Sequence, residues 1–325
     1  MLITLIALAL FFDFLNGLRD SANMVATVIS SRALKPRAAL LLTALGEFTG
    51  PFLFGLAVAT TLGSGLLDPT AITLEVIIAG LIGAIVWNLI TWYQGIPSSS
   101  SHALIGGLLG AAISAAGFGV ITLSGLNKIL IALFFSPIIG LIAGYLITKF
   151  LFFITRWSSP RVNNSFRRMQ VVTSFGLALS HGTNSAQKTM GVITLALFIS
   201  GTIPEFSVPT WVIFASAMTI AIGTSVGGWR LIRTLGGRIM KIRPIHGFAS
   251  QAAGAGVIMA AALLGGPVSS TQVISSSIMG SGAAERINKV RWQVGQEMLV
   301  AWLLTIPISG IIASLSYLIL TAIVG

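Results

Sequence analysis

The sequence predicts an all-α polytopic membrane protein built as two inverted repeats of about five crossings each, with broken helices and short re-entrant or half-helix hairpins. Three observations predict it: an apolar composition, the placement of the basic residues, and two polar motifs that recur in the same order in both halves. Of the 325 residues, 55% are hydrophobic and 8% charged, against roughly a quarter charged in an ordinary soluble domain. A water-facing surface cannot be assembled from that mixture.

Apolar runs longer than the roughly 20 residues that cross a bilayer recur along the chain, as at 38–63, 71–92 and 128–154. The first twelve residues have no basic flank before them and no small-residue cleavage site after them, so they read as the first span rather than a removable signal. Sixteen of the 19 cations fall in four clusters: Arg32, Lys35 and Arg37; Lys149, Arg156, Arg161, Arg167 and Arg168; Arg230, Arg233, Arg238, Lys241 and Arg243; Arg286, Lys289 and Arg291. The net charge of +11 is therefore a topology signal and not a nucleic-acid footprint, because these clusters sit in short loops where Lys and Arg set orientation. Placing them all in the cytoplasm gives crossings at 1–31, 38–62, 71–93, 98–118, 125–155, 169–200, 210–228, 246–267, 268–284 and 292–324, with both termini external. Residues 1–155 form the first repeat, 156–168 a cytoplasmic connector, and 169–325 the second. Five is an odd number, so the second half enters the membrane in the opposite sense.

The motifs support the repeat. Asn16-Gly17-Leu18-Arg19-Asp20-Ser21-Ala22-Asn23 matches His181-Gly182-Thr183-Asn184-Ser185-Ala186-Gln187-Lys188, and Pro97-Ser98-Ser99-Ser100-Ser101-His102 matches Pro267-Val268-Ser269-Ser270-Thr271-Gln272. The offsets, 165 residues from Gly17 to Gly182 and 170 from Pro97 to Pro267, agree within five.

Clustered Asn, Asp, Ser, Gln and Lys at the middle of a span are costly in hydrocarbon unless they face a cavity or one another. A helix broken there exposes amides and carbonyls that hold ions and substrates; the plainer reading is polar glue between helices. In the Pro-Ser motifs, proline suits the first helical turn and serine caps it, leaving free amides aimed at an anion; the plainer reading is a serine-rich loop. Arg19 and Asp20 either neutralise each other or serve a substrate. Glu47, Glu75 and Glu297 fall within spans as cation, proton or ion-pair sites, and His102 is a wall residue or a proton relay. Cysteine is absent, which excludes disulfides, thiolate metal sites and a cysteine nucleophile. Gly280-Ser281-Gly282 follows no soluble strand and is no nucleotide loop.

These motifs resemble the inorganic phosphate transporter family, in NGLRDSANMVATVISSRAL at 16–34, VWNLITWYQGIPSSSSHALIGG at 86–107, SHGTNSAQKTMGVITLAL at 180–197 and PVSST at 267–271. The resemblance implies cation-coupled phosphate symport, with sodium or protons and no other cofactor, often in a homodimer, with Asp20, Asn23, Asn184 and the hairpin hydroxyls at the anion site. It departs from the family in three places: Ser185 stands where Asp is usual, Arg19 where Asn or His is common, and Gln272 where His is common. The first two make the site more positive and bring sulfate or another oxyanion forward as the alternative substrate.

The expected substrate-binding set is Asp20, Asn23, Ser98, Ser99, Ser100, Ser101, Asn184, Ser185, Gln187, Lys188, Ser269, Ser270 and Thr271. The coupling-ion or gating set is Arg19, Asn16, Glu47, Asn88, His102 and Thr183, and a sodium ion would sit near Asp20, Asn23 and Asn184. The expected setting is the plasma-membrane bilayer. A membrane phosphatase is the enzyme alternative, since the 97–102 loop faintly resembles that of lipid phosphatases. Its second histidine would need a supporting acid, yet His181 is followed by none until Glu205 and His246 by none until Glu285.

Overall fold

The computed structural model describes residues 1–228 and 239–324, with no side-chain description at 324; Arg230, Arg233 and Arg238 of the third basic cluster lie outside the described residues. The described chain is helical throughout: α1 (Leu2–Ser30), α2 (Pro36–Leu53), α3 (Ala57–Gly63), α4 (Leu74–Gln94), α5 (Ser100–Ala116), α6 (Leu123–Ile154), α7 (Val162–Ile199), α8 (Thr210–Val226), α9 (Pro244–Leu263), α10 (Ser270–Glu285) and α11 (Trp292–Val324). Its only β feature is an isolated antiparallel bridge between Leu67 and Ile121.

The helices follow the expected spans closely, with five departures, the last being the start of α7. First, α1 and α7 are continuous, with no break at either polar motif. Neither contains proline; most polar side chains of the two motifs bond to other helices, and Ser21, Ser180 and Thr183 bond back to carbonyls of their own helix without removing a backbone donor, so the helical ladder stays whole. Second, the break falls in the next span, where α2 and α3 meet at 79°. Pro51 lies in the last turn of α2, and Gly55 in the joint takes φ +76, a left-handed value that glycine adopts without steric cost. Third, among the described residues five helices are by length and composition apolar enough to cross a membrane, or six if the bent pair is one span, against ten expected crossings. The 17 residues of α5 and 16 of α10 reach about 24–26 Å, short of the ~30 Å hydrocarbon core. Fourth, Pro97 and Pro267 stand two residues ahead of the caps, Ser99 and Ser269, and not in the first turn. Helix α7 already begins at Val162, inside the 156–168 segment.

Packing is cross-wise between the two parts of the chain. Helix α5 lies on α11 and α10 on α6, while α2 lies on α7 and α8 on α1. Large apolar side chains stay exposed down α6 (Ile131, Phe135, Ile138, Ile142, Phe150, Phe153) and α11 (Leu303, Ile311, Leu315, Ile319). That surface belongs in lipid, and the chain is a multi-pass membrane protein.

Inside, the described apolar core is three clusters, a small one of Leu151, Phe166, Ile245 and Ala249 and two larger ones that both draw on α1 and α7. Of the larger two, one takes Leu5, Ala9 and Phe12 from α1 with Val192, Ile193 and Leu195 from α7. The other takes Met24, Val25 and Val28 from α1 with Leu177 from α7. The start of α1 thus shares a cluster with the end of α7, so the two helices run antiparallel. Their polar segments, 16–23 and 180–188, fall in the layer between the two larger clusters.

Candidate functional site

The polar layer can exist because α1 and α7 approach their neighbours very closely. A Cβ on Gly17 would lie 2.2 Å from the Ile220 carbonyl oxygen on α8, and one on Gly182 would lie 2.2 Å from the Glu47 carbonyl oxygen on α2. Only glycine permits this contact, which brings the α1 and α7 motifs against two further helices.

Asp20 is the centre of the bonding. Its Oδ2 accepts from Ser270 Oγ at 2.8 Å, and its Oδ1 from Thr271 Oγ1 at 3.2 Å and Asn23 Nδ2 at 3.3 Å. Asn23 Nδ2 also donates to Thr271 Oγ1 at 2.9 Å. His181 Nε2 stands 3.2 Å from Asp20 Oδ2, and its Nδ1 stands 2.7 Å from Glu47 Oε1. The other Glu47 oxygen takes the Thr224 hydroxyl, which also lies 3.0 Å from the Gly17 carbonyl. Two carboxyls therefore grip one imidazole from both sides. A neutral imidazole has one donor nitrogen and a carboxylate has none, so filling both contacts takes one further proton on the ring or on a carboxyl. The trio is chemically a proton-holding device.

The two Pro-Ser motifs frame this centre. Ser99 Oγ caps α5 by accepting from the His102 N–H at 3.2 Å, and Ser269 Oγ caps α10 by accepting from the Gln272 N–H at 3.4 Å. Beyond the caps, the first-turn amides of both helices have no intrahelical carbonyl. Ser100 Oγ donates to Asn16 Oδ1 at 2.5 Å, and Ser101 Oγ to the Val268 carbonyl at 2.9 Å. His102 Nε2 and Gln272 Nε2 lie 3.4 Å apart where the two helices meet. Lys188 Nζ donates to Ser101 Oγ at 2.6 Å and Val268 O at 3.0 Å, with Ser185 Oγ at 3.5 Å.

The loops before the short helices are pinned as well. Arg19 donates to Ser98 Oγ at 2.7 Å, to Ser98 O at 3.3 Å, to Thr91 Oγ1 at 3.4 Å and to Asn88 Oδ1. Asn184 donates to Gly266 O at 3.0 Å and accepts from Val268 N at 3.2 Å; its bonds go to that loop and not to Asp20 or Asn23.

Two expected site residues are drawn elsewhere. Gln187 accepts from the Val58 and Ala59 amides at 2.9 and 3.2 Å and donates to Gly55 O at 2.7 Å, closing the α2–α3 joint. Thr183 bonds back to Leu179 O within α7. Of the other carboxylates considered, Glu75 lies in the first turn of α4 and Glu297 is exposed on α11. Sequence reasoning missed His181 and Asp13 as site residues. His181 holds the motif position that Asn16 holds in the first half, and Asp13 is a carboxylate inside the first span; either fact was a usable signal. Asp13 is fully buried, with Thr189 of α7 the hydroxyl that faces it. Asp20, Asn23, Glu47, Ser100, Ser101, His181, Asn184, Ser185, Lys188, Ser270 and Thr271 are each at most 4% exposed, so the cluster is closed to solvent.

Comparison with known proteins agrees with this picture. The family model described as "Phosphate transporter family" matches residues 16–313. A probable low-affinity inorganic phosphate transporter of Bacillus subtilis (strain 168) is 46% identical over 99% of this chain and 97% of its own length. One of Rhizobium meliloti (strain 1021), described in the same words, is 46% identical over 98% and 96%. A solved structure titled "The sodium-dependent phosphate transporter" superposes with a TM-score of 0.89 over 99% of both chains at 22% identity, which establishes a shared fold. The family and these relatives are transporters, so the phosphatase alternative falls, and this chain belongs to the phosphate transporter family.

Proposed function

We propose that the protein is a secondary carrier that couples inorganic phosphate to a proton by alternating access at the Asp20–His181 layer. The observation that carries the reading is His181 held between Asp20 and Glu47, beside the amino ends of α5 and α10. Phosphate oxygens would take the free first-turn amides and the hydroxyls of Ser100, Ser101, Ser270 and Thr271. Asp20 lies where it can receive a proton from the oxyanion, and His181 and Glu47 extend that path away from the substrate. Three donors and the His181 ring already crowd Asp20, which leaves no open coordination sphere for a sodium ion there.

Alternating access draws support from the matched halves. Pro137 inside α6 and Pro307 inside α11 repeat the 170-residue offset of the Pro-Ser motifs. The close contact of Gly110 with Gly310 has its counterpart in Gly280 against Leu141. Exchanging the halves maps α5 on α11 onto α10 on α6, and α2 on α7 onto α8 on α1. Inverted repeats with a shared central site convert between inward- and outward-open forms by rocking one bundle against the other, and a sealed site is the occluded member of that cycle. The basic clusters orient both termini outward in the plasma membrane.

Labelled phosphate uptake into proteoliposomes tests this, with an imposed proton or sodium gradient and excess sulfate as competitor. Uptake driven by the proton gradient and resistant to sulfate is the expected result. Uptake driven by sodium alone would replace the coupling ion, and suppression by sulfate would replace the substrate.

A further inference from the structure

Lys188 is one of the largest fully buried side chains, and its surroundings are those of a bound cation. Nζ meets Ser101 Oγ, Val268 O and Ser185 Oγ at 2.6, 3.0 and 3.5 Å, three oxygens for the three N–H donors of an ammonium group. A carbonyl of unwound chain, here Val268 O, together with two hydroxyls is also an oxygen ligand set for an alkali cation. Two carboxyls of α1, Asp20 and Asp13, lie within electrostatic range of the amine.

The first half of the chain shows what Lys188 replaces. Asn23, 165 residues earlier, donates a neutral amide to Thr271 Oγ1, whereas Lys188 donates an amine to Ser101 Oγ, the hydroxyl at the matching place on α5. Beside them, Ser185 stands where the first half carries Asp20. One half thus pairs a carboxylate with an amide, and the other pairs a hydroxyl with an amine.

We propose that the Lys188 amino group is a tethered cation, seated where a diffusible monovalent cation would otherwise complete the second half of the site, and that it frees transport from any such ion at that position. The inference rests on the carrier reading above and adds that Lys188 holds the α5 and α10 ends together rather than ligating phosphate, because protein oxygens already occupy its three donors.

The test is Lys188→Ala in proteoliposomes, with choline, sodium or potassium chloride as the bulk salt. Choline is too large for a three-oxygen cage. Wild-type uptake should be indifferent to the salt. The variant should lose uptake at least about tenfold in choline and recover most of it in sodium or potassium, with KM for phosphate unchanged. Wild-type-like uptake by the variant in choline, or a folded variant inactive in all three salts, overturns the proposal. If the variant cannot be purified in choline, recovery of folded protein in sodium or potassium supports the cage, and failure in every salt rejects it. Should wild-type protein itself take up no phosphate, the carrier reading fails separately. The cage is then judged by whether sodium or potassium raises the thermal stability of Lys188→Ala but not of wild type.

Discussion

His181 on α7 stands 3.2 Å from Asp20 on α1, Nε2 to Oδ2, so two motifs 161 residues apart in sequence meet directly inside the protein. With Glu47 2.7 Å from the other ring nitrogen, the imidazole is the bridge between them. His181→Gln keeps a polar side chain but cannot contact both carboxyls as a proton-sharing ring. Hydrogen bonds to charged groups contribute about 1.5–3 kcal/mol each, so proton-driven uptake should fall by roughly 10- to 100-fold. Passive phosphate exchange between equal pools should fall less, and equal losses in the two assays would deny His181 a coupling role.

Gly182→Ala drives a methyl group into the Glu47 backbone, 2.2 Å from its carbonyl oxygen. Overpacking of this kind costs about 1–3 kcal/mol. The α2–α7 contact should open, lowering the thermal midpoint in detergent and weakening uptake. A control at Gly176, where a Cβ meets nothing within 4 Å, should change neither.

Arg19 is bound to the loop ahead of α5 through both Ser98 oxygens that it contacts. Arg19→Lys retains the charge and loses the forked geometry. The expected outcome is a raised KM for phosphate, because the amino end of α5 is no longer held in place, with normal membrane insertion. A wild-type KM would show that the fork does not position this helix.

Removing a cap tests the short helices themselves. Ser99→Ala and Ser269→Ala each remove the acceptor for an N3 amide, a loss of about 1 kcal/mol. Both should depress stability, Ser99→Ala the more, because Ser99 Oγ also lies 2.7 Å from His102 Nδ1; thermal unfolding measures the difference, and a larger loss from Ser269→Ala would contradict this reading of the caps.

Outside the membrane segments, Asp68 accepts from the Thr70 N–H at 2.9 Å and from its hydroxyl at 2.8 Å, which hold its carboxyl below the usual carboxylate range. A lowered folded-state value means this support is complete above the unfolded-state value and is lost as pH falls through the folded one. The protection factor of the Thr70 amide, corrected for the intrinsic pH dependence of exchange, should therefore fall in acid. Asp68→Asn should abolish that pH dependence and leave uptake unchanged.

The fold was legible where one physical signal sufficed. Apolar length and cation placement read α4 as 71–93, against an observed Leu74–Gln94, and the same signals placed α11. The serines that cap α5 and α10 were visible because capping depends on residues only three apart. What was hidden depends on partners distant in sequence. Asn16 to Asn23 looked like an interruption because a polar run inside a span gives no sign that Ser100, Ser270 and Thr271 will answer it, and the helix stays whole once they do. Glu47 was seen as a buried charge, but its counterpart His181 lies 134 residues away on another helix. The α2–α3 bend was missed for a similar reason, since Gln187 of α7 closes it.

The central claim is that Asp20 and His181 pass a proton when phosphate moves. The most direct measurement is the pH change inside proteoliposomes carrying an internal pH dye, recorded after external phosphate is added with no sodium present. The account predicts internal acidification together with phosphate entry for the wild type, and its loss in Asp20→Asn and His181→Gln. Phosphate entry without acidification in the wild type, or acidification that persists in Asp20→Asn, would contradict it.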